Sequence, residues 1–167
     1  MVLSDLLGPG LDLIIVGTAA GRASAKRGLY YAGRGNRFWR ILHEVGLTPI
    51  ELKADDYRHL IEYRIGLTDL AKHASGMDQD LPANRFDPAR LRRAIEALSP
   101  TILAFNGKKA AGVFFGVATA KVTYGQQKGR IGRTTMYVCP QTSAANADWS
   151  ADPWHKLARD LRALQVL

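Results

Sequence analysis

The feature that most constrains the fold is an apolar run at residues 11–16, followed directly by small residues and glycines at 17–25. Only Asp12 interrupts the run, which is typical of a strand buried on both faces of a parallel sheet. Small residues after such a strand leave backbone N–H groups accessible at the carboxyl edge of the sheet, where open α/β folds bind ligands. The sequence therefore predicts an α/β protein with a ligand site after its first strand.

The rest of the chain alternates between strand-like and helix-like patterns. Three more strands are predicted, at residues 64–70, 101–106 and 135–139. Helix starts are predicted at Asn36, Asp87, Gly107 and Asp152, and a short helix at residues 55–62. This alternation predicts a single three-layer α/β/α domain, residues 1–167, around a central, mostly parallel four-stranded sheet. Residues 17–35 are expected to form a glycine-rich loop and residues 71–86 to be irregular. Residues 122–133 are expected to form a hairpin or a loop.

Basic residues are distributed unevenly along the chain. There are 23 Lys and Arg against 15 Asp and Glu, a formal net charge of +8. Residues 18–40 and residues 97–147 each contain six basic side chains and no acidic one. The loops expected after the first and fourth strands fall in or beside these windows and meet at one edge of a parallel sheet. The pattern predicts a positive surface there and a nucleic-acid partner, rather than charge that serves solubility alone.

Composition and residue spacing argue against a membrane-spanning protein, a secreted protein and a metalloprotein. The apolar stretches are about six residues long, too short to span a membrane, and the N-terminus lacks a secretory pattern. Cys139 is the only cysteine and lies in an apolar run, so it is expected to be a core residue in a reducing compartment. The four histidines lack ligand spacing, so no metal site is expected. We therefore expect a cytoplasmic protein.

Five motifs carry a family resemblance. They are Gly-Thr-Ala-Ala-Gly at 17–21, Asn-Arg-Phe-Trp at 36–39, Tyr-Arg-Ile-Gly-Leu-Thr-Asp-Leu at 63–70, Asn-Gly-Lys at 106–108 and Pro-Gln-Thr-Ser at 140–143. Together they resemble the uracil-DNA glycosylase superfamily, and most closely its mismatch-specific uracil/thymine glycosylases. The resemblance covers nearly the whole chain. It implies an enzyme that everts a nucleotide from DNA and hydrolyses the bond between base and sugar, with no metal or organic cofactor.

The resemblance implies that the first loop builds a pocket for the everted base. Tyr31 takes the position of the aromatic residue that stacks on the base, and backbone N–H groups near Thr18 and Tyr31 bind the base oxygens. Ser24 lies beside the pocket and the adjoining phosphate. The expected base-binding residues are Gly17, Thr18, Ala19, Ala20, Gly21, Ser24 and Tyr31. Preorganised N–H donors aimed at the anionic leaving base are the expected main source of catalysis.

The loop at residues 141–146 matches the segment that the family inserts into the duplex. The family usually has Asn or His where Gln141 stands, and often a bulky wedge where Ala145 stands. Because alanine fills little of the space that a base vacates, we expect single-stranded or weakly paired DNA to be processed at least as well as stable duplex. Residues expected to contact DNA are Ser143, Ala144, Ala145, Arg22, Lys26, Lys108, Lys128 and Arg130. The expected partner is DNA with uracil or another deaminated base, bound by a monomer associated with the nucleoid of a bacterial-type cell.

Ala19 departs from the family pattern, in which Asn or Asp commonly positions or activates the attacking water. Three accounts are open. Another group serves the water, with Gln141, Asn146, Thr18 and then Asp148 as candidates; or the enzyme works slowly by stabilising the base anion alone; or the protein binds damaged DNA without cleaving it. General acid–base help is worth about 10²–10⁴-fold, so its loss need not abolish turnover. The expected catalytic set is Gln141, Asn146 and Thr18. Asp69, at the end of the second predicted strand, is a further candidate to face the pocket.

Three functions are considered for this chain. The leading interpretation is a monofunctional DNA glycosylase that removes uracil or a related deaminated base. The alternative is a noncatalytic protein that binds damaged or single-stranded DNA through a degenerate glycosylase site. A small-molecule nucleotide-binding protein is disfavoured by the two acid-free windows and by the lack of a Walker-type Gly-x-x-x-x-Gly-Lys-Ser/Thr pattern.

Overall fold

A central sheet organises the computed structural model, which describes residues 1–77 and 81–166. The strands are β1 (Leu13–Ala20), β2 (Ile65–Ser75), β3 (Ile102–Asn106), β4 (Gly125–Ile131) and β5 (Thr134–Cys139). They lie in the order β2-β1-β3-β5-β4. Strands β2, β1, β3 and β5 are parallel neighbours, and β4 pairs antiparallel with β5. The carboxyl ends of four parallel strands therefore meet at one edge.

Helices connect these strands. They are α1 (Arg22–Arg27), α2 (Phe38–Glu44), α3 (Pro88–Leu98), α4 (Lys108–Phe115) and α5 (Asp152–Val166), with 3₁₀ segments at Ala54–Tyr63, Ala83–Arg85 and Thr119–Lys121. The predicted start of α3 is confirmed in detail. Asp87 Oδ1 accepts a hydrogen bond from the Arg90 N–H at 3.0 Å, and Pro88 occupies the first helical position, where no N–H partner is needed.

The α/β class and the mostly parallel sheet are confirmed, but the prediction of four strands is wrong. The fifth strand, β4, has the sequence Gly-Gln-Gln-Lys-Gly-Arg-Ile, of which only Ile131 is buried. A solvated edge strand needs no apolar run, so its pattern resembles a loop. The expected loop 17–35 is also shorter than predicted, since β1 continues to Ala20 and α1 follows it. In the segment 71–86, β2 extends to Ser75, while residues 78–80 lie outside the described residues. The three-layer and single-domain arrangements stay predictions.

Two hydrophobic clusters divide the buried side chains of the sheet by strand alternation. On β1, Leu13 and Ile15 belong to a cluster with Phe38 of α2 and Trp154 of α5, which we call the α2/α5 core. Residues Ile14 and Val16 belong to a second cluster, with side chains of α3 and α4. Cys139 is fully buried in the α2/α5 core, as predicted, and burial raises the pKa of its thiol. The sheet face that carries the α2/α5 core is the one that continues into the site described next.

Candidate active site

At the carboxyl edge of the sheet, the side chains on the α2/α5 face change from apolar to polar. The alternation that places Leu13 and Ile15 on this face continues to Gly17 on β1. The same alternation leads to Asp69 on β2, Asn106 at the end of β3 and Gln141 beyond β5. Gly17 is paired with Asp69 in the parallel register. Four neighbouring strands thus bring four chemically distinct positions to one place.

A cavity of about 460 Å³ opens at this edge. One wall consists of residues 17–22, Ser24 and Tyr31, and the opposite wall of Gln141, Ser143, Ala145 and Asn146. Asp69 and Asn106 form part of its lining as well. The predicted convergence of the two loops is therefore present. Every residue of the expected base-binding set lines the cavity.

Tyr31 is held tightly in this wall. Its backbone adopts a left-handed conformation with φ of 52°, and its ring stacks on Phe38 with centroids 3.8 Å apart. The Trp39 indole N–H donates to the Tyr31 carbonyl oxygen at 3.2 Å. The hydroxyl is buried and makes no hydrogen bond of good geometry among the described residues. Burial together with the nearby Asp69 charge raises its pKa, and the neighbouring Asn106 side chain partly opposes that rise. Because Phe38 covers one face of the ring, only the other face remains for a ligand.

Ser24 stabilises the same wall from inside. It is buried on α1, and its hydroxyl accepts a hydrogen bond from the Ala32 N–H at 3.0 Å. This contact ties α1 to the turn that carries Tyr31. The Ser24 hydroxyl therefore has a structural role in the fold, and its expected place beside a DNA phosphate stays a prediction.

Asp69 is the residue that the sequence reasoning underestimated. The residue is 4% exposed, and Oδ1 lies 2.9 Å from the point that a Cβ on Gly17 would occupy. Burial raises the pKa of the Asp69 carboxyl to about 6; the Asp5 charge also raises it, and Lys72 and Arg90 lower it. A buried carboxylate poised near neutral pH in a cavity is a candidate general base. The sequence signal that could have identified Asp69 as a site residue was its position at the end of a predicted strand that neighbours Gly17 in a parallel sheet.

Hydrogen bonds shape the loop after β5. The Asn106 amide pairs with Thr142 in both directions: Nδ2 donates to Oγ1 at 3.1 Å, and Oδ1 accepts from the Thr142 N–H at 3.1 Å. Arg37, just before α2, donates from Nη1 to the Ser143 carbonyl at 2.9 Å. The second wall of the cavity is thus anchored to both β3 and α2.

The predicted catalytic residues differ in what their side chains already bind. Asn146 donates to the Gln141 carbonyl at 2.9 Å and accepts from the Asp148 N–H at 3.0 Å, so its amide serves the loop. Gln141 lines the cavity, and its side-chain amide has no hydrogen bond within the described part of the chain. Thr18 is buried in the cavity wall. Asp148 is exposed and does not line the cavity.

The basic residues expected to contact DNA do not all reach the cavity. Arg22 lines it, whereas Lys26, Lys108, Lys128, Arg130 and the loop residue Ala144 do not. Arg130 pairs with Thr135 near the start of β5, four residues before Cys139. At about 3.3 Å per residue, that is roughly 13 Å from the carboxyl edge. The second basic window is therefore spread along the sheet instead of being gathered at one edge.

Two further properties concern the described residues as a whole. Within residues 1–77 and 81–166, no three His, Cys, Asp or Glu side chains come together as a metal site. No helix in these ranges is long and apolar enough to cross a lipid bilayer.

The buried Asp69 carboxyl leads to a stability prediction. Its pKa of about 6 in the folded protein lies above the ordinary 3.8, so folding stability is lost as the pH rises through this range. We expect Asp69→Asn to increase the free energy of unfolding at pH 7.5 by about 1–3 kcal/mol, and this gain to shrink towards pH 4.5. Urea unfolding at several pH values measures it. The exposed Glu51→Gln is the control and should show no such trend. A gain for Asp69→Asn that does not vary with pH would contradict a raised pKa at Asp69.

Comparison with known proteins agrees with this architecture. The solution NMR structure of a Methanosarcina acetivorans protein, provisionally assigned as a uracil DNA glycosylase, superposes with a TM-score of 0.64 at 21% identity over 96% of each chain. At that identity the likeness establishes the fold. The family model of the uracil DNA glycosylase superfamily matches residues 5–164, nearly the full length. The chain therefore belongs to the uracil DNA glycosylase superfamily.

Proposed function

We propose that this protein is a monofunctional DNA glycosylase of the mismatch-specific branch that removes uracil or a related deaminated base. The observation that carries the proposal is the buried Asp69 carboxyl beside Gly17 in a cavity of about 460 Å³. Cavities of about 300–1,000 Å³ are usual for small ligands, so an everted base is a reasonable occupant. Family membership supports the glycosylase class. Action as a monomer, and in the cytoplasm, stay predictions.

In the proposed complex, the everted base lies against the face of Tyr31 that Phe38 leaves open. Base stacking on an aromatic ring is worth about 1–3 kcal/mol, which offsets part of the cost of eversion. Backbone N–H groups near Thr18 and Tyr31 bind the base oxygens. They stabilise the negative charge that the base gains as its bond to the sugar breaks.

Asp69 supplies the chemistry that Ala19 lacks. In the proposed step, a water molecule attacks the sugar carbon C1′, the bond from C1′ to the base nitrogen breaks, and the base leaves with the electron pair. The Asp69 carboxylate accepts a proton from the water, and its negative charge stabilises the positive charge on the sugar. The buried Tyr31 hydroxyl lies 3.2 Å from the same Gly17 Cβ point as Asp69, so it is available to orient this water. Gln141, with a free amide on the opposite wall, is a second positioning group.

The alternative of a noncatalytic binder has a specific observation in its favour. Ala19 carries no functional group, and the Asn146 amide is occupied within its loop. The position that commonly serves the water in the family is therefore without a functional group, and one of the predicted substitutes is engaged. The alternative and the glycosylase make opposite predictions for product formation.

Single-turnover excision from a labelled uracil oligonucleotide tests the role of Asp69. We expect Asp69→Asn to slow the formation of alkali-labile abasic sites by about 10²–10⁴-fold, because the proton acceptor is removed. DNA affinity should change little. Glu51→Gln, an exposed carboxyl replaced by its amide, is the matched control and should match wild type. Excision by Asp69→Asn within a few-fold of wild type would reject the proposed base, and no excision by wild type after long incubation would favour the noncatalytic binder.

Charge reversal separates the cavity rim from the far edge of the sheet. We expect Arg22→Glu to weaken binding to a uracil oligonucleotide by about tenfold at low salt and to flatten the salt dependence, because a phosphate contact is lost. Arg130→Glu makes the same charge change far from the cavity and should have a smaller effect. Binding isotherms at several salt concentrations give both values. Equal losses for the two variants would indicate that DNA follows the whole basic surface.

A further inference from the structure

The chain before β1 lies along the free edge of β2. The Val2 N–H donates to the Lys72 carbonyl at 2.7 Å. Further along, Leu6 and Leu67 exchange two backbone hydrogen bonds of 2.9 Å in an antiparallel bridge. This segment covers an edge that would otherwise expose unpaired backbone groups. It also carries Asp5 to the outer side of the strand that holds Asp69.

The Asp5 carboxylate forms ion pairs with two cations, Lys72 and Arg90. Lys72 Nζ lies 2.9 Å from Oδ1, and Arg90 Nη1 lies 3.0 Å from Oδ2. The Thr68 hydroxyl donates to Oδ1 at 2.6 Å. Burial alone would raise the pKa of Asp5, but these hydrogen bonds and charges lower it overall, so Asp5 holds its negative charge. Because the Lys72 side chain is only 5% exposed, its ammonium has little access to water and depends on partners within the protein.

Asp69, by contrast, has no cation within ion-pair distance of its carboxylate among the described residues. The second guanidinium nitrogen of Arg90 reaches the Asp69 backbone carbonyl at 2.6 Å. Lys72, three residues further along β2, points its ammonium to Asp5 and to the Tyr30 hydroxyl at 3.2 Å. Lys72 and Arg90 are therefore close enough to Asp69 for their charges to act on it, but both form ion pairs with Asp5 instead.

We propose that Asp5 is a positioning residue for the active site: it holds Lys72 and Arg90 away from the Asp69 carboxylate and so keeps that carboxylate free to act on water. The inference rests on the proposed role of Asp69 as a base. An ion pair with a buried cation would make a carboxylate a weaker proton acceptor. The ion pairs of Asp5 with Lys72 and Arg90 prevent these cations from pairing with Asp69. These ion pairs lie at the edge strand β2, outside the cavity.

The charges that face Asp69 act in opposite directions. Burial is the main reason for its high pKa; Asp5 raises the pKa further, and Lys72 and Arg90 lower it. The groups that face it from the elements packed around it are Asp5, Lys72, Arg90, Tyr30 and Tyr31. Asp5→Asn removes a negative charge and frees two cations, so both effects lower the pKa of Asp69. Lys72→Met removes a positive charge, so it raises that pKa.

The test is the pH dependence of single-turnover uracil excision by wild type, Asp5→Asn and Lys72→Met. We expect the midpoint to move to lower pH in Asp5→Asn and to higher pH in Lys72→Met, each by about 0.5–1 unit. A residue that acts only through fold stability would lower the rate without moving the midpoint, or would move both midpoints in one direction. Shifts with the same sign, or midpoints that stay unchanged both in excision and in the titration described next, would overturn the inference.

A direct titration makes this result independent of catalysis. NMR of the Asp69 side-chain carboxyl carbon, in the same three proteins without DNA, reports its protonation. We expect the same opposite shifts. If the NMR midpoints move apart while the excision profiles stay equal, Asp5 does set the state of Asp69 but Asp69 is not the base, and the proposed mechanism fails instead. Circular dichroism checks folding. If Lys72→Met does not fold, Arg90→Gln replaces it, with the same expected shift to higher pH; if Asp5→Asn does not fold, Asp5→Ser replaces it, with the same expected shift to lower pH.

Discussion

The site depends on one close approach between two strands. The parallel register pairs Gly17 of β1 with Asp69 of β2. A Cβ at position 17 would lie 2.9 Å from Asp69 Oδ1 and 3.2 Å from the Tyr31 hydroxyl, shorter than ordinary van der Waals contact. The carboxylate and the phenol therefore share this space because residue 17 is glycine. The same approach buries the carboxylate, and burial is the main cause of its pKa of about 6.

The opposite wall depends on side chains that stabilise a loop without regular secondary structure. Asn106, the last residue of β3, and Thr142 form a closed pair of hydrogen bonds in a buried setting, where an unpaired amide would be costly. Asn146 closes the same loop onto the Gln141 carbonyl. The Asn106 and Asn146 amides use hydrogen bonds to fix the cavity shape. Gln141, Asp69 and the Tyr31 hydroxyl are cavity groups that remain available for chemistry among the described residues. A preorganised wall of this kind is what a site for transition-state stabilisation needs.

The sequence predicted the parts of this account that depend on local pattern. The apolar strand before Gly17, the Asp87-Pro88 helix start and the meeting of two loops at one sheet edge all follow from spacing and residue type. The edge strand β4 lies in a segment that was predicted only as a hairpin or a loop, because its exposed, glycine-rich sequence lacks the apolar alternation of a half-buried strand. Asp69 was underestimated because its burial depends on the register between two strands that are distant in the sequence. Local pattern alone also could not reveal that the Asn146 amide is already engaged.

The most direct measurement of the central claim is a crystal structure of Asp69→Asn bound to a uracil-containing single-stranded oligonucleotide. We expect the uracil ring in the cavity against the open face of Tyr31, and C1′ of its sugar within about 5 Å of the residue 69 side chain, close enough for one intervening water. DNA bound to another surface with the cavity unoccupied would contradict the account. A bound uracil whose sugar faces away from residue 69 would contradict it equally.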